Sequence, residues 1–243
     1  LPESVAVVPV APGKNVRRAG EDVAVGDLVL RAGERWTPAA AGAASSIGYA
    51  TVRLRRRPKV AVLATGTELV APGEPIGFGQ IPDSNSVLIA GLVERFGGEV
   101  VCARAVSDDV EDFRAALAEA AEADVIVTSG GVSVGAFEVV RQVVEGDIEF
   151  VKVAMQPGKP QACGSLPTAG GREQALLALP GNPVSAYTSF HAFGRPLIRK
   201  LAGTDPQVEV QHAVAQVDLR SHLGQLHLLR GRVSSETGVR RVH

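Results

Sequence analysis

The chemistry this chain can support rests on four carboxylates, two lysines and a glycine pair. Glu68, Asp83, Asp108 and Asp109 offer hard oxygen donors, and Lys152 and Lys159 offer positive charge. Ser129-Gly130-Gly131 offers main-chain N–H groups that a ligand can approach closely, because glycine has no Cβ. Carboxylates with bound water suit Mg²⁺, which meets substrate phosphates through few protein ligands. Lysines beside bare backbone donors suit oxyanions. The combination fits a metal–phosphate ligand better than redox or hydride chemistry. No His/Cys set has zinc-ligand spacing, and no Ser-His-Asp or nucleophile-elbow pattern is present. The glycine pair belongs neither to a Walker A loop, since no Lys follows Gly135, nor to Gly-x-Gly-x-x-Gly.

Each residue also has a structural competitor. One of Asp108 and Asp109 is expected to cap a helix starting at 110, and Asp83 suits an Asx-turn. Glu68 follows a glycine turn at a strand end, a position that favours function. Lys152 lies within a strand and either snorkels at an edge or needs a partner. Lys159 sits on the stiff turn Gln156-Pro157-Gly158-Lys159-Pro160, which would hold its ammonium in place. In Leu179-Pro180-Gly181-Asn182-Pro183, Asn182 suits an N-cap and Pro183 the first helical position. His191 on a helical face reads as packing.

The elements that must position these groups begin at Lys59. A buried strand over 60–64 ends at Thr65-Gly66-Thr67-Glu68. A Pro/Gly-rich loop leads to Asp83-Ser84-Asn85 and a helix over 86–96, with Val87, Leu88, Leu92, Val93 and Phe96 on one face. Strand 100–106, helix 110–122, strand 124–128, helix 136–145 and strand 148–154 follow. Two more strands, 161–166 and 174–179, suggest a hairpin around Gly170-Gly171, and helix 183–201 carries a potential kink at Pro196. This alternation predicts an α/β domain, a three-layer, doubly wound, mostly parallel sheet. In such a sheet, ligands bind beyond the carboxyl ends of the strands. The polar and glycine-rich stretches collect at those ends, whereas the opposite edge shows no comparable set.

Residues 1–57 read as a β-rich region, with Gly13, Gly20, Gly26 and Gly33 turning between short aliphatic runs. Residues 39–47 have weak helical character. Arg53, Arg55, Arg56, Arg57 and Lys59 read as a solvated strand edge and linker rather than a nucleic-acid patch. The expected division is 1–57, 58–204 for the α/β domain, and 205–243 for a partial β domain. The chain has 243 residues with net charge −1, so nothing draws it globally to nucleic acid or anionic lipid. No run is long enough to span a membrane as a helix. Cys102 and Cys163 read as reduced core thiols of a cytosolic protein. The chain starts at Leu1 without Met, and is read as a piece lacking its front.

Several stretches together resemble the molybdopterin molybdenumtransferase family, the bacterial MoeA proteins related to the E domain of gephyrin. They are 15–22 (NVRRAGED), 57–61 (RPKVA), 65–69 (TGTEL), Asp83-Ser84-Asn85, 128–135 (TSGGVSVG), 157–160 (PGKP) and 179–185 (LPGNPVS), in the family's order. The resemblance implies a Mg²⁺-dependent insertion of molybdate into adenylylated molybdopterin with release of AMP. It implies a cytoplasmic homodimer and admits contact with other proteins of cofactor biosynthesis. Glu68, Asp108, Lys152 and Lys159 take the catalytic positions. Thr65, Gly66, Asp83, Ser84, Asn85, Ser129, Gly130, Gly131, Ser133, Gly135, Gln156, Pro157, Gly158, Pro180, Gly181, Asn182 and Pro183 take the substrate-binding ones. Glu68, Asp108 and Glu138 take the metal-binding ones. The family often has Asp where Thr67 and Glu138 stand, and Lys where Gln156 stands. The alternatives are a molybdopterin adenylyltransferase, which resembles the central domain alone, and a non-catalytic gephyrin-like scaffold.

Overall fold

The structure is a computed structural model that describes residues 9–131, 139–144, 147–168, 170–208, 210–236 and 239–242. The chain divides after Leu54 into two compact units.

The first unit departs from the β-rich expectation. Among its described residues the regular element is a helix, α1 (Pro38–Ser46), and no strand is present. Thr37 starts α1: its Oγ1 accepts from Ala40 N at 3.1 Å, and Pro38 occupies the first turn, where a missing N–H costs nothing. The glycine turns are real, with Gly13, Gly20, Gly26 and Gly33 all at positive φ. The runs between them bond locally, as in Lys14 N to Ala11 O at 3.0 Å and Asp27 N to Ala24 O at 3.1 Å. Short aliphatic runs make strands only when a partner strand accepts their hydrogen bonds.

The second unit is built on six strands: β1 (Lys59–Thr65), β2 (Glu99–Val106), β3 (Val125–Ser129), β4 (Asp147–Lys152), β5 (Pro160–Pro167) and β6 (Glu173–Leu179). Their order is β2-β1-β3-β6-β5-β4. The first four are mutually parallel, and β5 runs antiparallel between β6 and β4. The period of two sends alternate β1 residues to opposite faces. Val60 and Val62 pack with Ile89, Val93, Phe190 and Ile198, whereas Ala61 and Leu63 pack with Phe113, Ala116, Ile126 and Val140. One face is therefore covered by α2 (Asn85–Arg95) and the helices after β6, and the other by α3 (Val110–Glu119) and α4 (Val139–Val143). This is the expected three-layer, doubly wound arrangement.

Some details differ from expectation. On α2 the buried set is Asn85, Ser86, Ile89, Leu92 and Val93, while Val87 is exposed. The helix after β6 breaks into α5 (Pro183–Ser189), a π-helical turn (Phe190–Gly194) and α6 (Arg195–Leu201). Pro196 lacks an N–H and so cannot continue the i→i−4 ladder; the widened turn precedes it. Cys102 is half-buried and Cys163 exposed, so neither is a core thiol. Beyond residue 204, Val214–Ala215, Val239–Val242 and Val233–Glu236 form a three-stranded sheet. Leu226–His227 pairs in parallel with Met155–Gln156, tying that segment to the turn before β5.

The amino edge of the sheet is held by an ion cluster, not left without polar structure as the sequence suggested. Asp124 accepts a bidentate pair from Arg56 at 2.5 and 2.7 Å, the Lys59 N–H at 2.8 Å and Arg172 at 3.1 Å. The Arg56 hydrogen bonds hold its carboxyl below the usual carboxylate range against the opposing effect of burial. Arg172 and Gln174 donate to the closing carbonyls after α3, including Ala121 and Ala123. The arginines read as a linker thus include one structural anchor, and nothing about them invokes nucleic acid.

Candidate functional site

Chain order places the site. From β1 the chain passes to β2 on one side, then crosses to β3 on the other, so the loops after β1 and β3 part company. A crevice must open at that point, beyond the strands' carboxyl ends. It is a cavity of about 360 Å³ lined by Thr65, Gly66, Glu68 and Leu69 after β1, Ile81 to Asn85 before α2, and Asp108 after β2. Ser129, Gly130 and Gly131 after β3, Pro160 at the start of β5, and Pro180, Gly181 and Pro183 after β6 complete the wall.

The carboxylates separate by role. Asp109 is the helix cap: it accepts from Glu111 N at 2.8 Å and Asp112 N at 3.2 Å. Asp108 is thereby left to the cleft, where it accepts the Thr67 N–H at 3.1 Å. Asp83 lines the cleft but is buried and committed to the start of α2. It takes Asn85 N at 2.9 Å, Ser86 N at 3.0 Å and the Ser86 hydroxyl. The Asx-turn reading therefore describes its contacts. Glu68 is exposed and lies over Gly66, where an added Cβ would stand 2.7 Å from Glu68 Oε2. Glu68 and Asp108 thus both line the cleft and are exposed, with oxygens still open to a ligand.

Beneath them the glycines are forced. Gly130 has φ +96°, and a Cβ there would lie 2.6 Å from the Thr65 carbonyl oxygen. Gly131 has φ +65°, and a Cβ there would lie 2.8 Å from Val140. Only glycine occupies such a backbone without strain. Gly181 packs on Gly130, with its would-be Cβ 3.4 Å from Gly130 Cα. Asn85 joins these loops, donating from Nδ2 to Ser129 Oγ at 2.8 Å and to the Gly181 carbonyl at 2.7 Å. Among the described residues, Thr65 Oγ1 and Asn85 Oδ1 are buried without a partner, each at a cost.

The lysines do not line the cleft. Lys152 is exposed on β4, in register with Pro160, and Lys159 is exposed just before it. For Lys152 the reason is strand order: β4 lies two strands beyond β6, about 10 Å at normal sheet spacing. Among the described lining residues none is Lys or Arg, so the only positive character there comes from backbone N–H groups. Gln156, Pro157 and Gly158 are also off the wall, Gly158 packing on Met155 and Ser189. Asn182 is occupied as the α5 cap, accepting Val184 N at 3.0 Å. Ser133, Gly135 and Glu138 lie outside the described residues. His191 packs against Phe96 and Tyr187, and burial, with Arg195 and Arg95, pushes its pKa down.

Sequence reasoning missed the apolar wall of Leu69, Ile81 and Pro82, and Pro160. Leu69–Val70 and Ile81–Pro82 pair as two short parallel strands. The signal was an apolar pair on each side of the Pro/Gly-rich loop, and only the non-local pairing reveals its meaning. No group of three or more His, Cys, Asp or Glu residues comes together among the described residues. Two adjacent carboxylates fit Mg²⁺, which keeps most of its water and meets phosphate, rather than a metal needing a full protein cage.

Residues 61–200 match the family described as a probable molybdopterin binding domain, and residues 2–48 match the MoeA N-terminal region (domain I and II). The chain is 44% identical over 237 residues to molybdopterin molybdenumtransferase 2 of Mycobacterium tuberculosis, covering 93% of this chain and 57% of the relative. It is 40% identical over 225 residues to the molybdopterin molybdenumtransferase of Haemophilus influenzae, covering 90% and 54%. The crystal structure of the molybdopterin biosynthesis moeA protein from Pyrococcus horikoshii superimposes with a TM-score of 0.71 at 28% identity, covering 92% of this chain and 53% of that one. The chain thus spans little more than half the length of these relatives.

Proposed function

The chain belongs to the molybdopterin molybdenumtransferase family, and from that premise we propose that its cleft binds adenylylated molybdopterin and supports the transfer of molybdenum from molybdate, with release of AMP. The observation that carries the reading is the pairing of open carboxylates with glycine backbone on facing walls of one cleft. The backbone N–H of Gly131 suits a phosphate oxygen, and the forced glycines let the ligand lie against the main chain. The apolar wall of Leu69, Ile81 and Pro82 suits a flat ring system.

Glu68 and Asp108 are the residues that would hold Mg²⁺, which when bound offsets charge on the adenylate phosphate. Asp108, fixed by the Thr67 N–H, keeps one carboxylate in place, while Glu68 reaches over Gly66. Lys152 and Lys159, exposed at the same sheet edge beyond Pro160, serve the incoming oxyanion from outside the wall rather than from its floor. Gln156 supplies no charge there. A cytoplasmic homodimer belongs to the same reading.

The test is product release. Purified protein incubated with adenylylated molybdopterin is expected to release AMP only when molybdate and Mg²⁺ are both present. Release of pyrophosphate from ATP with free molybdopterin would replace this reading with an adenylyltransferase, and absence of either turnover would replace it with a scaffold.

A further inference from the structure

Three loops end at the floor of the cleft, after β1, β3 and β6, and one side chain from a fourth element ties two of them together. Asn85 is the first residue of α2, and its backbone N–H is already held by Asp83. Its side chain is therefore delivered inward by a fixed helix start, and the residue is only 8% exposed. Nδ2 spends both hydrogens, one on Ser129 Oγ and one on the Gly181 carbonyl. Ser129 is the residue before Gly130, and its hydroxyl donates onward to the Pro180 carbonyl at 3.2 Å. The Gly130 N–H is in turn held by the Leu179 carbonyl at 3.0 Å.

The acceptor end is different. Asn85 Oδ1 is buried with no partner among the described residues. An amide with both donors used and its oxygen stranded is a poor stabilising device, because the stranded acceptor offsets much of what the donors gain. Groups of that kind persist where position matters more than stability. We propose that Asn85 is a positioning residue of this site. It holds the Ser129–Gly131 turn against the Pro180–Gly181 loop, so that the glycine backbone after β3 keeps its shape at the floor of the cleft.

The proposal rests on the reading of the cleft as a binding site for adenylylated molybdopterin, and the experiment separates the two. The Asn85→Ala protein is compared with the unaltered chain in amide hydrogen exchange, without ligand, and in affinity for adenylylated molybdopterin. The expected result is exchange roughly tenfold faster at Gly130, whose N–H is held by the Leu179 carbonyl, with Val62 and Leu63 in β1 unchanged. Affinity is expected to fall roughly tenfold, with little change in Tm. Ser129→Ala, which removes one of the two tied groups, is expected to reproduce a smaller part of both effects and serves if Asn85→Ala fails to fold. Unchanged exchange at Gly130 would overturn the proposal whether or not the ligand binds. Acceleration spread equally through β1, with a lowered Tm, would also overturn it, by making Asn85 merely structural. Failure of the unaltered chain to bind the ligand would instead overturn the proposed function, leaving the exchange result to decide the role of Asn85.

Discussion

The two edges of one sheet treat charge in opposite ways. At the amino edge, Asp124 is surrounded by donors: Arg56, Arg172 and the Lys59 N–H. At the carboxyl edge, Glu68 and Asp108 face a cavity whose described wall contains no basic side chain, and two buried polar atoms there lack partners. The first edge spends its charges on holding strands and linker together. The second leaves carboxylates and backbone groups unspent, at some cost in stability, and it is the edge where chain order opens a crevice. Both edges are rich in polar residues, so composition alone does not tell them apart; what differs is whether the demands of each group are met inside the fold.

The comparison can be broken most sharply at the glycine floor. Gly130→Ala places a Cβ 2.6 Å from the Thr65 carbonyl at a φ of +96°. Ligand affinity and turnover should fall about a hundredfold or more, because the backbone must move on the order of an ångström. A drop in Tm is expected as well, since a side chain at that φ costs about 1–2 kcal/mol. Calorimetry alongside the AMP-release assay reads both.

Glu68→Gln tests the unspent charge directly. Glu68 is exposed and makes no hydrogen bond or ion pair with the described residues, so Tm should hold while AMP release falls about tenfold to a hundredfold. Equal loss of stability and activity would mean that Glu68 is part of the frame.

Asp124→Asn inverts that pattern. Unfolding in urea should show a loss of about 1–2 kcal/mol, discounted because Arg56 is solvent-exposed, with kcat and KM unchanged. The pH dependence has a definite sign. The folded pKa of Asp124 is lowered, so the unfolded state binds the proton first as pH falls. Its contribution is complete above the unfolded value near pH 4 and is lost as pH drops through the lowered folded value. Asp124→Asn should flatten that acid limb of the stability profile.

The smallest effect is expected from the lysines. Lys152→Ala and Lys159→Ala remove charges that sit near the cleft but not on its wall, so each should weaken molybdate use only a few-fold and more at low salt. A loss matching that of Glu68→Gln would mean that these side chains swing over the cleft when substrate binds.

The α/β domain was legible because its signals are local and repeat: aliphatic strands, helix caps at Asp109 and Asn182, and glycines where the chain turns. Thr65, Gly66, Glu68, Asp83 to Asn85 and Ser129 to Gly131 line one cleft, as the doubly wound rule, which sends strand ends to one edge, leads one to expect. Lys152 falls off the cleft wall because strand order is a non-local property. Nothing near it in sequence says that β5 returns between β6 and β4. The ion cluster at Asp124 was missed for the same reason, its partners lying 68 and 48 residues away. Residues 9–54 misled because glycine turns and aliphatic runs look alike whether or not a partner strand exists.

The most direct measurement is a structure of this chain crystallised with adenylylated molybdopterin. The account predicts ligand phosphate within hydrogen-bond distance of the Gly131 N–H and packed against Gly130, with Glu68 and Asp108 turned toward the same ligand. Ligand bound at the Asp124 edge, or at the carboxyl edge but clear of that glycine turn, would contradict it.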